Sequence, residues 1–255
     1  MMSARIAVVI LTYNEEENIQ ACIESVDFAD EIILIDSGSE DGTCRLAESL
    51  GARVVSHPMV DNGFAGQRNF ALQQTEAEWV LYLDADERIT PKLAKEISAH
   101  IHGAPQRAAA IKRESVVMGQ VMRHGVYRPD YVVRLFPRTM VLWEGVVHER
   151  AVTELPVVRL KAAAHHECLT SWEQYFAKFD RYTTLMAEKM QQKGTYTNGV
   201  LMHFHAGFAF LQMYLLKLGF LDGWLGFILC QYHYFYTLTK YTKLLELQRK
   251  SRRDT

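Results

Sequence analysis

Two aspartates one residue apart, Asp84 and Asp86, close the apolar run Trp79-Val80-Leu81-Tyr82-Leu83. A strand ending this way delivers both carboxylates to the rim of a sheet. There they can hold a hard divalent cation, Mg2+ or Mn2+, and through it the oxygens of a diphosphate. Glu87 adds negative charge and is the alternative ligand. Two further runs end in polar clusters: Arg5 to Leu11 gives way to Thr12-Tyr13-Asn14-Glu15, and Glu31 to Ile35 gives way to Asp36-Ser37-Gly38-Ser39-Glu40-Asp41-Gly42-Thr43. The first offers an aromatic face and short polar groups, and Asp36 can accept from an imide N–H or a ribose hydroxyl. Singly, each cluster is ordinary turn chemistry, and Asp41 is a natural helix cap. Together, at neighbouring strand ends, they describe one nucleotide-diphosphate site. Arg68, in Gly66-Gln67-Arg68-Asn69, has donor geometry suited to phosphate, with a solvated helix arginine as the plainer reading.

Transfer of a sugar out of a nucleotide diphosphate also needs a group that takes the proton of the acceptor hydroxyl. The segment Trp143-Glu144-Gly145-Val146-Val147-His148-Glu149 offers one, because a glutamate half-buried among apolar residues is a better base than a solvated one. Glu149 is the preferred base, Glu144 the alternative, and His148 a metal or acceptor contact. Two histidine clusters are set aside. In His165-His166-Glu167-Cys168 the adjacent histidines point to opposite faces of a strand, and His203 and His205 lie in an apolar, interface-like stretch.

The elements that must position these groups alternate over the first hundred residues. Arg5 to Leu11 is almost wholly apolar, as a strand covered on both faces should be. Ile19, Cys22, Ile23 and Val26 follow helical spacing, and the spacing after Asp41 predicts a helix with Leu46, Ala47 and Leu50 inward. Arg53 to Ser56 reads as a short strand, Gly66 to Gln74 as a helix, and Thr90-Pro91 as a helix start with Leu93 and Ile97 inward. This order predicts an α/β fold with a mostly parallel sheet and right-handed crossovers. Ligands in such sheets bind beyond the carboxyl ends of the strands, where the polar clusters fall.

From about residue 107 the runs become shorter and β-like: Ala108 to Ile111, Ser115 to Met118, Tyr131 to Phe136 and Val157 to Leu160. From about 170 the chain reads as helical, with a capping-box spacing at Thr170 and Glu173 and a stop at Gly194. Residues 199–239 are dense in aromatic and aliphatic side chains but are interrupted by His203, His205, Gln212, Lys217 and Asp222. No window there reaches roughly 20 apolar, charge-free residues, so the expectation is a pair of amphipathic helices at a membrane interface. A helical subdomain packed on the main domain or on a second subunit is the alternative.

Bulk composition narrows the field. At 49% hydrophobic the chain supports a large core, and a net charge of −2 argues against duplex nucleic acid as partner. Six of the basic residues fall within 240–255, against Glu246 and Asp254, so the end of the chain is a basic tail that suits anionic lipid. The four cysteines are scattered without a C-x-x-C pair, which fits a reduced cytosolic compartment, and no signal peptide is expected.

These residues resemble glycosyltransferase family 2, the inverting nucleotide-sugar transferases with the GT-A fold. The matching segments are Val8 to Glu15, Asp36 to Thr43, Gly66-Gln67-Arg68-Asn69 and Leu83 to Glu87, in matching order and spacing. Val133 to Arg138, Trp143 to Glu149 and Gly219-Phe220-Leu221-Asp222-Gly223 are similar to a narrower branch that includes bacterial lipopolysaccharide-core glucosyltransferases. The resemblance implies a UDP-sugar donor, a divalent metal at Asp86 with Asp84 nearby, uracil contacts on Asp36 and on Thr12 to Glu15, and inversion by a single displacement. Many members place the base in a Glu-Asp pair, and no such pair follows residue 100.

The expected organisation is a GT-A catalytic domain over 1–168, with a nucleotide-sugar half (1–100) and an acceptor half (101–168). A helical, aromatic-rich region with the basic tail follows over 169–255. The expected activity is transfer of a hexose, glucose from UDP-glucose, onto a lipid-linked saccharide such as the lipopolysaccharide inner core, on the cytosolic face of the inner membrane. Rivals are a polyprenyl-phosphate sugar transferase and a nucleotide-binding adaptor without turnover. Nucleotidyl transfer is weaker, since no glycine-rich phosphate loop follows the first strand.

Overall fold

The computed structural model describes residues 4–59, 63–103, 106–145 and 149–253. The chain divides into two compact units, Met1–Glu114 with Asp130–Glu167, and Ser115–Pro129 with Cys168–Thr255.

In the first unit, strands β1 (Ile6–Thr12), β2 (Glu31–Asp36), β3 (Arg53–Ser56) and β4 (Trp79–Asp84) are parallel, in the order β3-β2-β1-β4. Beyond β4 the sheet continues through β8 (Asp130–Pro137), β6 (Ala108–Val117), β11 (Val157–Leu169) and β5 (Glu87–Ile89), with β8 antiparallel to β4. β1 is buried throughout, and its side chains alternate between two cores. Ile6, Val8 and Ile10 pack beneath α1 (Glu16–Glu24), α2 (Thr43–Ser49) and α4 (Pro91–Ile101), whereas Ala7, Val9 and Leu11 face α3 (Gly63–Leu72) and Trp143. This is the GT-A arrangement expected from the sequence.

Several local expectations change. The runs from Ala108 and from Ser115 form one strand that ends at Val117, one residue short of the expected Met118, and the polar residues between them are paired: Arg113 with Glu87 and Asp130, Lys112 with Glu114. Val157 to Leu160 is only the start of a strand that runs on to Leu169. Asp41 caps two helices rather than one: Oδ1 accepts from the Thr43 amide, and Oδ2 from the amide of Glu16, the first residue of α1.

In the second unit, α5 (Trp172–Gln192), α6 (Gly199–Leu211) and α7 (Gly223–Arg253) carry the chain. The cap of α5 is Ser171, one residue after the expected Thr170. Its Oγ accepts from the Gln174 amide while Gln174 Oε1 accepts from the Thr170 amide, a capping box displaced by one position. Gly194, at φ +68°, ends α5 as expected, with Thr195 N donating to Met190 O and Gly194 N to Gln191 O. At the start of α7, Asp222 accepts from the amides of Arg123 and His124 and from His124 Nδ1 at 2.8 Å. Gly226 permits the close approach, since a Cβ there would lie 2.3 Å from Gly219 O.

The expectation that 199–239 holds no membrane-length window is corrected. Gly199–Leu216, formed by α6 and the π-helical turn Gln212–Leu216, is long and apolar enough to cross a membrane by length and composition. Along it Val200, Phe204, Phe208, Leu211 and Leu215 are exposed at steps of three and four, one continuous outward stripe. The basic tail is also less free than its sequence suggests. Lys243 Nζ is bound by Asp180 and by the hydroxyls of Thr183 and Thr184, and Lys250 pairs with Glu246 one turn away.

Candidate active site

Register brings the polar strand ends to one edge: Thr12 lies opposite Asp36, and Leu11 opposite Asp84. The loops after β1 and β2 are laced together. Asn14 N donates to Ser39 Oγ, Glu40 N to Asn14 Oδ1 and Glu15 N to Thr43 Oγ1, while Gly42 N donates to Glu16 Oε2. Asn14 sits at φ +54°, a conformation asparagine tolerates better than most residues. The result is a fixed wall from which the Tyr13 ring projects, 58% exposed. Ser37 faces inward, its Oγ accepting from the buried Gln67 Nε2 at 2.7 Å.

Asp36 is buried and shapes its own turn. Its oxygens accept from Thr12 Oγ1, Ser39 Oγ and the amides of Gly38 and Ser39. Burial alone would raise its pKa, but the Ser39, Gly38 and Thr12 hydrogen bonds outweigh it and hold the carboxyl below its ordinary range. With these four donors in place its acceptor positions are filled, so an incoming imide N–H would have to displace Ser39 Oγ.

Asp84, about as exposed as Asp86, is held by two arginines. Its Oδ1 accepts from Arg68 Nη2 at 3.2 Å, and its Oδ2 pairs with Arg134 Nη2. Burial works against its charge, and Arg134 and then Arg68 overcome it, holding the carboxyl at about 2. Arg68 is buried rather than solvated: its guanidinium lies 4.7 Å over the Trp143 ring and 5.5 Å over Tyr82. Among the described residues Arg68 Nε and Nη1 and Arg134 Nε have no hydrogen-bond partner although buried. Glu87, the alternative metal ligand, is turned into the protein, with Oε1 3.1 Å from Arg113 Nη1 and Oε2 accepting from the Asp84 amide. Burial and the nearby Asp84 charge raise its pKa.

Asp86 has a different partner. Its Oδ2 is 3.2 Å from His166 Nε2, both side chains are partly open to solvent, and Glu167 N donates to Asp86 O. His166 belongs to one of the two histidine clusters set aside above. Adjacent histidines do point to opposite faces, but only one is needed here: His166 is the one paired in register with Glu87. Arg134 was also missed, although an arginine inside the apolar strand Tyr131 to Phe136 was a visible signal.

The two candidate bases are separated. Glu149 lines a cavity of about 480 Å3 together with Asp84, Arg113, Arg134 and Trp143, and its Oε1 is 3.7 Å from Arg68 Nη2. Glu144 lies on β9 (Leu142–Glu144), paired with Arg150 of β10 (Arg150–Val152), and borders a different cavity of about 580 Å3 with His57, Gln67 and Phe70. His148 lies outside the described residues.

A parallel sheet whose carboxyl edge gathers an aromatic wall, buried arginines and a carboxylate–imidazole pair is the layout of a nucleotide-sugar transferase. Residues 7–151 match the family model described as glycosyl transferase family 2, and the chain belongs to that family. Among its relatives, an uncharacterized glycosyltransferase of Rickettsia bellii is 29% identical over 97% of this chain and 88% of that protein. The lipopolysaccharide core biosynthesis glycosyltransferase LpsC of Rhizobium meliloti is 30% identical over 80% of this chain and 78% of its own length, in keeping with the lipopolysaccharide-core-like resemblance. Glucosyl-3-phosphoglycerate synthase from Mycobacterium tuberculosis, solved with Mn2+ and UDP-glucose, overlaps 45% of this chain and 44% of that chain at 28% identity and a TM-score of 0.36.

Proposed function

We propose that this glycosyltransferase moves a hexose, glucose from UDP-glucose, onto a lipid-linked saccharide such as the lipopolysaccharide inner core, with inversion. The observation that supports the reading is one strand end carrying two carboxylates with different partners, Asp86 with His166 and Asp84 with the buried arginines Arg68 and Arg134. One carboxylate and one imidazole suit a divalent ion that keeps positions open for phosphate and water. No cluster of three protein ligands occurs among the described residues. A bound Mg2+ or Mn2+ would act as a Lewis acid on the leaving diphosphate.

The chain's own groups supply the rest. Tyr13 offers its face to the uracil, and the Thr12–Glu15 and Asp36–Asp41 loops bound the nucleoside. The fixed guanidiniums of Arg68 and Arg134 would offset the charge of the diphosphate. The acceptor oxygen attacks the anomeric carbon, the bond to the diphosphate breaks with its electron pair leaving on UDP, and the proton passes to a carboxylate. The place of Glu149 in the cavity with Asp84 and Arg134 supports it as that base over the solvent-facing Glu144. The exposed apolar stripe from Val200 to Leu215 supports contact with the cytosolic face of the membrane, near an amphiphilic acceptor.

The test is a panel of nucleotide-sugar donors with mass-spectrometric detection of released nucleoside diphosphate, in manganese and in chelator. UDP release from UDP-glucose that needs the metal and disappears in Asp86→Ala, with an unchanged circular dichroism spectrum, is expected. Near-normal turnover by that variant would defeat the assignment.

A further inference from the structure

The second unit contains a cavity of about 280 Å3, near the small end of the range for ligand sites. Its walls include Tyr127, Tyr175, Phe179, Tyr182, His233 and Tyr236. These rings brace one another: Tyr175 and Phe179 are 6.0 Å apart, Phe179 and Tyr236 meet edge-to-face at 5.9 Å, and His233 lies parallel to Tyr236. Nothing in the proposed transfer chemistry uses them.

The hydroxyls are the informative part. Tyr127, Tyr175, Tyr182 and Tyr236 all reach this cavity, and none of their hydroxyls has a hydrogen-bond partner among the described residues. Burial pushes the Tyr127 phenol up to about 12 and raises Tyr175 further, so both stay protonated, able to donate and to accept. Lys178 adds a cation, its Nζ spending one donor on Cys168 O at 3.4 Å. A phenol desolvated without a partner is costly, so a purely hydrocarbon occupant such as an acyl chain would leave the hydroxyls it covers unpaired. A ring with apolar C–H faces and hydroxyls around its edge would stack on the aromatic walls and answer the phenols.

We infer that this aromatic cavity is a saccharide-binding site, taking a pyranose ring between its tyrosine and phenylalanine walls. The inference rests on the reading of the chain as a transferase with a saccharide acceptor, and assigns the second unit a part in holding that acceptor.

The experiment is saturation-transfer difference NMR on the full chain with methyl β-D-glucopyranoside as probe and decanoate as competitor, alongside calorimetry with UDP. Transfer to the ring protons of the glycoside is expected, unaffected by decanoate. The double variant Tyr175→Phe/Tyr236→Phe removes two hydroxyls and no ring, and should bind the glycoside about tenfold more weakly with UDP affinity unchanged. Tyr182→Phe repeats the test at the exposed mouth, where folding is not at stake, and should weaken binding in the same direction. No transfer in the wild type, equal glycoside binding by all variants, or displacement by decanoate would overturn the assignment. Failure of UDP to bind the wild type would instead sink the donor site, and the glycoside result would still decide the cavity.

Discussion

Asp84→Asn should cost the protein folding stability, although Asp84 belongs to the motif that looks most like a metal site. Its carboxylate is shared by Arg68 and Arg134, whose side chains are 3% and 9% exposed. Asparagine keeps the shape and one acceptor but leaves two buried guanidiniums beside each other with the charge between them gone. Removing one partner of a buried pair costs about 3–5 kcal/mol. A third of the Asp84 side chain reaches solvent, and Glu149 and Glu87 stand 3.7 and 3.9 Å from the two arginines, so the loss should fall to about 2–3 kcal/mol. For a chain of this size that is a drop in melting temperature of about 4–12 °C. Asp86→Asn is the control: its single partner, His166, is 25% exposed and 3.2 Å away, so at most about 1 kcal/mol is at stake. Thermal unfolding by circular dichroism, without nucleotide or metal, measures both. The reasoning fails if Asp84→Asn melts with the wild type, or if Asp86→Asn falls as far.

Three further outcomes follow from other parts of the structure. Because Asp36 holds its carboxyl below the ordinary value, its contribution to stability is complete above about pH 4 and is lost as pH falls through the folded value. The stability gap between wild type and Asp36→Asn, about 1–3 kcal/mol at neutral pH, should therefore narrow in acid, and a gap that widens there would contradict the hydrogen-bonding account. Glu149→Gln should lower kcat by a factor of about 10²–10⁴ while leaving UDP affinity unchanged or slightly improved, since it removes an anion 3.7 Å from Arg68. Normal turnover with weakened UDP binding would move Glu149 to the donor side. Phe204→Ser with Phe208→Ser, both on the exposed stripe, should reduce sedimentation with anionic vesicles at least about tenfold without lowering the melting temperature, and unchanged sedimentation would remove the stripe from the membrane reading.

Much of this architecture was legible in the residues. The alternation of β1 between two cores, the cap at Thr90 and the stop at Gly194 are local features, set by side-chain period, a hydroxyl and a positive φ. The polar strand ends were also visible, because in a parallel sheet they must share an edge. What the sequence hid was which charge answers which. Arg134 reaches Asp84 from an antiparallel strand fifty residues later, and no local pattern ties the two together. His166 was hidden by a sound rule applied too far, since opposite faces exclude two histidines acting together but leave either one free to act. The cap at Ser171 shows a smaller ambiguity: Thr170 and Ser171 both suit the role, and the partner of the reciprocal bond, Gln174 rather than Glu173, decides it.

Under the proposed function the two aspartates of the motif divide the work. A departing diphosphate is best met by positive charge that is already desolvated and fixed, because such charge needs no reorganisation when the bond breaks. Packing Arg68 against Trp143 and beside Arg134 provides that charge, but two buried like charges repel and would push the strand end open. Asp84, ionised and placed between them, offsets the repulsion. Asp86, one residue past Ala85, pairs among the described residues with His166, and under the proposed function it is the carboxylate left for a cation. A sequence of two acids and a spacer reads as a pair of ligands, yet its spacing serves equally well to give one carboxylate to two buried arginines and the other to a histidine.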